Sequence, residues 1–149
     1  MEVGDRLAII DACHALIYRY GYLNDERDYD ALAELFTEDA VFCRPSAPDK
    51  PITGREAILA AFKARPTDTV TFHLVTDVLV EVDSADRARA RSRILLLSGP
   101  RSANRPYPDV ATTAPPLPGV FRDDLSLTAA GWRFSQRVGG LWLGSSRIV

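Results

Sequence analysis

The stretch Thr69–Val82, TVTFHLVTDVLVEV, decides the fold. β-Branched and apolar residues dominate it, no Gly or Pro interrupts it, and it is longer than an average strand. It reads as the central strand of a curved sheet. Side chains alternate between the two faces of a strand. Phe72, Leu74, Thr76, Val78, Val80 and Val82 form one face, which reads as packing. Thr71, His73, Val75, Asp77, Leu79 and Glu81 form the other. A histidine and an aspartate in so apolar a strand point to a lined space rather than a dry core. The competing reading is a histidine satisfied within the core.

Outward from this strand, the chain has 149 residues and a formal net charge of −2. That length predicts one domain, residues 1–149, with a sizeable core. The charge gives no electrostatic case for nucleic acid or for an anionic membrane. No apolar run reaches membrane-spanning length. The opening MEVGDRLAII lacks the basic-then-apolar order of a signal peptide. Cys13 and Cys43 are the only cysteines, without metal-ligand spacing, and His14 and His73 are the only histidines. Reduced thiols, a cytoplasmic setting and no metal are therefore expected.

In chain order, Asp5 can cap a first helix running to about Tyr20, with Leu7, Ile10, Cys13, His14, Leu16 and Ile17 at helical spacing. Gly21 and Asn24 mark its end, which leaves Asp25 in a link between helices. Asp28 caps a short second helix, Tyr29–Phe36. Ala40–Cys43 reads as a strand, ended in a loop by Pro45, Pro48 and Pro51. Thr53 and Glu56 fit a capping box for a third helix that carries Ile58, Leu59 and Phe62 and stops near Pro66.

Beyond the long strand, Ser84–Asp86 form a tight turn. Strand Arg87–Ser98 then places Arg87, Arg89, Arg91 and Arg93 on one face. No stacking aromatics are interleaved, so a solvated sheet face is expected rather than a nucleic-acid patch. Gly99–Gly119 is proline-rich and long enough for a lid or a disordered loop. Strands Val120–Leu127 and Trp132–Leu143 follow as an antiparallel hairpin about Ala129-Ala130-Gly131. Helices first and then a run of antiparallel strands make an α+β layout. Such a sheet can curve over the helices as a cone with an apolar pocket between them.

The blocks RYGYLNDERDYDALAELFTEDAVF, ITGREAILAAF, FHLVTDVLVEVD and GWRFSQR resemble the SnoaL-like group of the nuclear transport factor 2-like superfamily. That group includes scytalone dehydratase, bile-acid 7α-dehydratase and hexachlorocyclohexane dehydrochlorinase, and the likeness covers nearly all of the chain outside the proline-rich loop. It implies a cone-shaped α+β barrel in which N-terminal helices pack in a curved, mostly antiparallel sheet. It also implies a catalytic pair, Asp25 after the first helix and His73 in the long strand. Tyr20 and Arg137 match a tyrosine and an arginine of the bile-acid dehydratase site. The chain departs from scytalone dehydratase where Ser98 stands nearest a second pocket histidine and Asn24 replaces a tyrosine. The same blocks also resemble the β subunit of ring-hydroxylating dioxygenases, which is largely structural.

The resemblance thus implies a cofactor-independent lyase (a dehydratase), isomerase or polyketide cyclase. Its substrate would be a small hydrophobic, cyclic or polycyclic molecule. The alternative is a non-catalytic structural protein like the dioxygenase β subunit. Family practice implies a homodimer or homotrimer. Each residue keeps a plainer reading here: Asp25 as a cap or turn residue, Tyr20 as a packed ring with its hydroxyl at the surface, and Arg137 as part of a solvated strand face. Asp77 shares the His73 face and is a second candidate partner for it, although four residues along one strand is a long reach.

Overall fold

The computed structural model describes residues 1–101 and 115–143. Helix α1 (Val3–Glu26) buries one stripe, Cys13, Leu16, Ile17, Tyr20, Gly21 and Asn24, at the three- and four-residue spacing of a helix face. It runs about a turn and a half beyond the end expected at Tyr20. Gly21 and Asn24 are interior residues, and the left-handed C-cap falls at Arg27, φ 62°. Gly21 serves close approach instead of termination. A Cβ there would come within 3.3 Å of Val75 Cγ2 and 3.9 Å of His73 Cβ, so the missing side chain lets the helix lie against the long strand. Leu7, expected on the apolar stripe, is exposed, as are all the residues from Val3 to Ala8 at the start of α1.

Asp28 does cap the second helix, accepting a hydrogen bond from the Ala31 N–H, but α2 (Tyr29–Ala33) is only one turn long. Phe36, expected in that helix, begins strand β1 (Phe36–Arg44). The segment with Pro48 and Pro51, expected as a loop, is strand β2 (Ala47–Thr53). Its prolines are tolerated because β2 lies at the sheet edge, where one side of the backbone has no neighbouring strand. Thr53 ends this strand and caps nothing. The N-cap of α3 (Arg55–Lys63) is Gly54, φ 93°, a conformation that a capping threonine or serine resists.

The long strand is β3 (Thr69–Val82), at the bounds read from the sequence. It pairs along its length with β4 (Arg87–Pro100), then come β5 (Leu117–Thr128) and β6 (Gly131–Leu141). The strand order is β2-β1-β6-β5-β4-β3, antiparallel except for the parallel β1–β6 pair. The α+β, mostly antiparallel cone is therefore the architecture, but the sheet stays open. β3 is its edge rather than its centre, with α1 laid across it.

The parity of β3 also breaks. Asp77 has φ 51°, and the register against β4 shifts between Thr76 and Leu79. This bulge flips the faces. Val75, Val78 and Val80 pack against the core, whereas Phe72 and Leu74, expected to pack, are 61% and 49% exposed. The arginines of β4 do lie on a solvated face among acids: Arg89 with Asp83 and Glu81, Arg91 with Glu81, Arg93 with Asp77. Most of the expected 99–119 loop, and with it the lid expectation, lies outside the described residues.

Candidate functional site

Asp25 sits in the last turn of α1, four residues after Gly21 and so on the same helix face. The close approach at Gly21 sets the carboxylate against the first half of β3. There it accepts three hydrogen bonds. Oδ1 lies 2.8 Å from the Thr71 hydroxyl and 2.5 Å from His73 Nδ1, and Oδ2 takes the His73 backbone N–H at 2.7 Å. Thr71 and His73 share one strand face, so a single carboxylate grips two successive inward side chains and the backbone of one of them. The two expected residues, distant in sequence, are in contact. Asp77, the other candidate partner, faces outward beyond the bulge and pairs with Arg93 at 3.2 Å.

With Nδ1 turned to a carboxylate, the hydrogen-bond pattern assigns the neutral imidazole proton to Nδ1 and leaves Nε2 as the unshared nitrogen. The His73 side chain is 9% exposed and lines a cavity of about 200 Å³. Phe42, Phe62, Ile94, Leu96 and Phe121 supply apolar wall. Such a site exposes one basic nitrogen to a space where few waters compete for it.

Tyr20 also lines this cavity, with its ring between those of Phe36, Phe42, Phe62, Phe121 and Phe134 at centroid distances of 5.9–6.4 Å. Burial pushes its hydroxyl up to about 12, against the pull of the nearby Arg137 charge. It is therefore a neutral donor across the physiological range.

Arg137 is placed differently from expectation. It is fully buried and is not among the residues lining the cavity. Its guanidinium lies over the rings of Phe121, Tyr20 and Phe134, at 3.9, 4.2 and 4.5 Å. Nη1 donates to Asp123 Oδ2 at 3.1 Å, across the β5–β6 pairing that sets Asp123 opposite Arg137. That carboxylate holds the arginine behind the aromatic layer. Burial raises the Asp123 carboxyl to about 6, and Arg137 acts in the opposite direction. Nε and Nη2 of Arg137, Oδ1 of Asp123 and the Ser92 hydroxyl are buried without a hydrogen-bond partner among the described residues.

Sequence reasoning missed Asp123 altogether. It also missed Arg65, which lines the cavity beside Arg44 and donates to Asn24 Oδ1 at 2.6 Å. A cation directly before Pro66 looks like a helix-end residue, and nothing local says otherwise. His14 is half-buried and tilted against Tyr18, and is not among the residues lining the cavity. Cys13 and Cys43 are buried and unpaired, and burial raises the Cys13 thiol to about 11. Among the described residues no group of three or more His, Cys, Asp and Glu is placed to hold a metal ion, and no helix is long and apolar enough to cross a membrane.

Known structures share this architecture. A hexachlorocyclohexane dehydrochlorinase, LinA-type3, from Novosphingobium barchaimii is 21% identical with a TM-score of 0.77, over 95% of this chain and 92% of that one. A protein from Novosphingobium aromaticivorans provisionally described as a scytalone dehydratase is 22% identical with a TM-score of 0.78, over 95% and 89%. A protein of unknown function from Mycobacterium tuberculosis is 27% identical with a TM-score of 0.77, over 98% and 79%. At these identities the first two establish the fold. No curated protein sequence gives a significant match. A family model described as a SnoaL-like domain matches residues 5–138, so the chain belongs to the SnoaL-like family of the nuclear transport factor 2-like superfamily.

Proposed function

We propose that this protein is a cofactor-independent lyase of the dehydratase type, or an isomerase, acting on a small hydrophobic cyclic or polycyclic substrate through an Asp25–His73 general acid/base dyad. The observation that carries this reading is the 2.5 Å contact between Asp25 and His73 Nδ1, with His73 on the wall of a largely apolar cavity. In the first step His73 Nε2 takes a proton from a carbon beside a carbonyl, and the electron pair moves onto the carbonyl oxygen as an enolate. Asp25 holds the imidazolium so formed without itself taking the proton. Tyr20 donates to the oxygen on which charge develops. In the second step the enolate expels the β-hydroxyl, which takes the proton from Nε2 and leaves as water, with a C=C bond formed. Arg137 acts as a positioning residue. Its charge stabilises the oxyanion from behind Tyr20 and Phe121, and it fixes those rings.

Double-bond isomerisation returns the same proton to a different carbon, and polyketide cyclisation uses the same enolate as a carbon nucleophile. Dehydration ranks first, followed by double-bond isomerisation and then cyclisation. Incubating the protein with hydroxylated steroids and aromatic polyketides in the presence of a chelator, and following water loss by mass spectrometry, tests the proposal. Turnover by wild type that is lost in His73→Ala supports it. Turnover that His73→Ala retains would leave the dyad without a role, and no turnover by either protein would favour the non-catalytic reading, in which the chain behaves like a dioxygenase β subunit.

Assembly as a homodimer or homotrimer belongs to the same proposal. Phe72, Leu74 and Leu79 stand exposed on the outer face of β3, at 61%, 49% and 58%, and make an apolar strip that a second copy would cover. Sedimentation at micromolar concentration should therefore give a closed oligomer, and Leu74→Glu should shift it towards monomer. A monomeric wild type contradicts the expectation. The buried free thiols are in keeping with a reducing, cytoplasmic setting.

A further inference from the structure

The cavity wall combines apolar surface with an excess of one charge. Arg44 and Arg65 both line it, and no aspartate or glutamate is among its described lining residues. The chain as a whole carries −2, so this bias belongs to the cavity and not to the protein at large. Each guanidinium is half-buried, and each is anchored by a neutral oxygen instead of a carboxylate. Arg44 Nη2 donates to the Ala61 carbonyl at 3.0 Å, and Arg65 Nη1 donates to Asn24 Oδ1 at 2.6 Å. Arg65 also lies over the Phe62 ring, 5.6 Å from its centroid. A guanidinium has five N–H donors, and among the described residues these anchors orient both groups while taking only one donor of each.

Two like charges on one small, largely apolar cavity repel, and each has lost part of its hydration. Protonation of His73 during turnover would add a third. An anion between the arginines removes this penalty, and a carboxylate fits the planar fork of a guanidinium best. We propose that the substrate is a hydrophobic ring compound bearing a carboxylate, which Arg44 and Arg65 bind while the rings fill the space in front of His73. This rests on the functional reading above and specifies its substrate class. The competing account is structural: Arg44 ties down the last turn of α3, and Arg65 ties that helix's exit to α1.

Binding of 2-naphthoate and 2-naphthamide, matched in shape and differing in charge, separates the two accounts. Calorimetry at pH 8 and low salt should show the acid binding wild type at least about tenfold more tightly than the amide. Arg44→Gln and Arg65→Gln should each weaken naphthoate and leave naphthamide unchanged, and the double variant should bind both equally. His73→Ala should keep the preference, so loss of the dyad reading and loss of this one give different results. A wild type that binds naphthoate no more tightly than naphthamide, or that binds neither, overturns the proposal without recourse to any variant. So does a preference that survives in the folded double variant.

Discussion

Asp25→Asn is expected to fold as wild type does and to slow the chemical step by at least about a hundredfold. The reason lies in which atom each partner requires. One carboxylate oxygen accepts the His73 backbone N–H, and the other accepts Thr71 and the ring nitrogen. An asparagine has only one oxygen. The backbone N–H cannot turn away, so that oxygen must face it, and the amide NH₂ is then directed at His73 Nδ1. Nδ1 must become an acceptor, which moves the ring proton to Nε2, the nitrogen that Asp25 leaves free to act as the base. The base is thereby blocked with almost no change of shape, while the Thr71 hydroxyl can rotate to accept. Nitrogen NMR of the neutral imidazole should show protonated Nδ1 in wild type and protonated Nε2 in the variant. A variant with wild-type rate and an unchanged tautomer would contradict this.

The largest effect on stability is expected at the other buried pair. Asp123→Ala leaves the Arg137 guanidinium fully buried with no anionic partner, a loss of about 3–5 kcal/mol in urea unfolding at neutral pH. Replacing both, as Asp123→Leu with Arg137→Met, should recover most of that, because removing both charges also removes their desolvation. The pair has a pH signature as well. The folded carboxyl sits at about 6, above its ordinary 3.8, so the folded state holds that proton more tightly than the unfolded chain does. Its contribution to stability is therefore greatest below about 4, declines as the pH rises through 6, and is flat above that. The double variant should lack this component of the decline. Equal stability of Asp123→Ala and wild type would show that Arg137 finds another partner.

The parts of this structure legible in the sequence are those set by local chemistry. The run from Thr69 to Val82 could only be a strand, and the 129–131 turn could only join a hairpin. The contact of Asp25 with His73 was reached through family likeness, because residues so far apart in sequence carry no local signal of meeting. Gly21 misled, since a glycine that ends a helix and one that admits a close neighbour look alike until the neighbour is known. The bulge at Asp77 leaves the first half of the expected packing face, Phe72 and Leu74, on the outside, and one residue in a left-handed conformation leaves no trace in an alternating pattern. A second irregularity, between Asp124 and Leu125, shifts the β5–β6 register and brings Asp123 opposite Arg137. Counting back from the hairpin turn would have paired other residues, so the partner that withdraws Arg137 from the cavity was hidden.

Proton removal from carbon by His73 is read most directly in D₂O. A chelated protein is incubated with hydroxylated ketones drawn from the steroid and polyketide classes, including carboxylated members. Deuterium wash-in beside the carbonyl and loss of water are followed by mass spectrometry for wild type and His73→Ala. The dyad predicts exchange and elimination by wild type, and rates at least about a hundredfold lower in a variant whose circular dichroism is unchanged. Equal rates in the two folded proteins would contradict it.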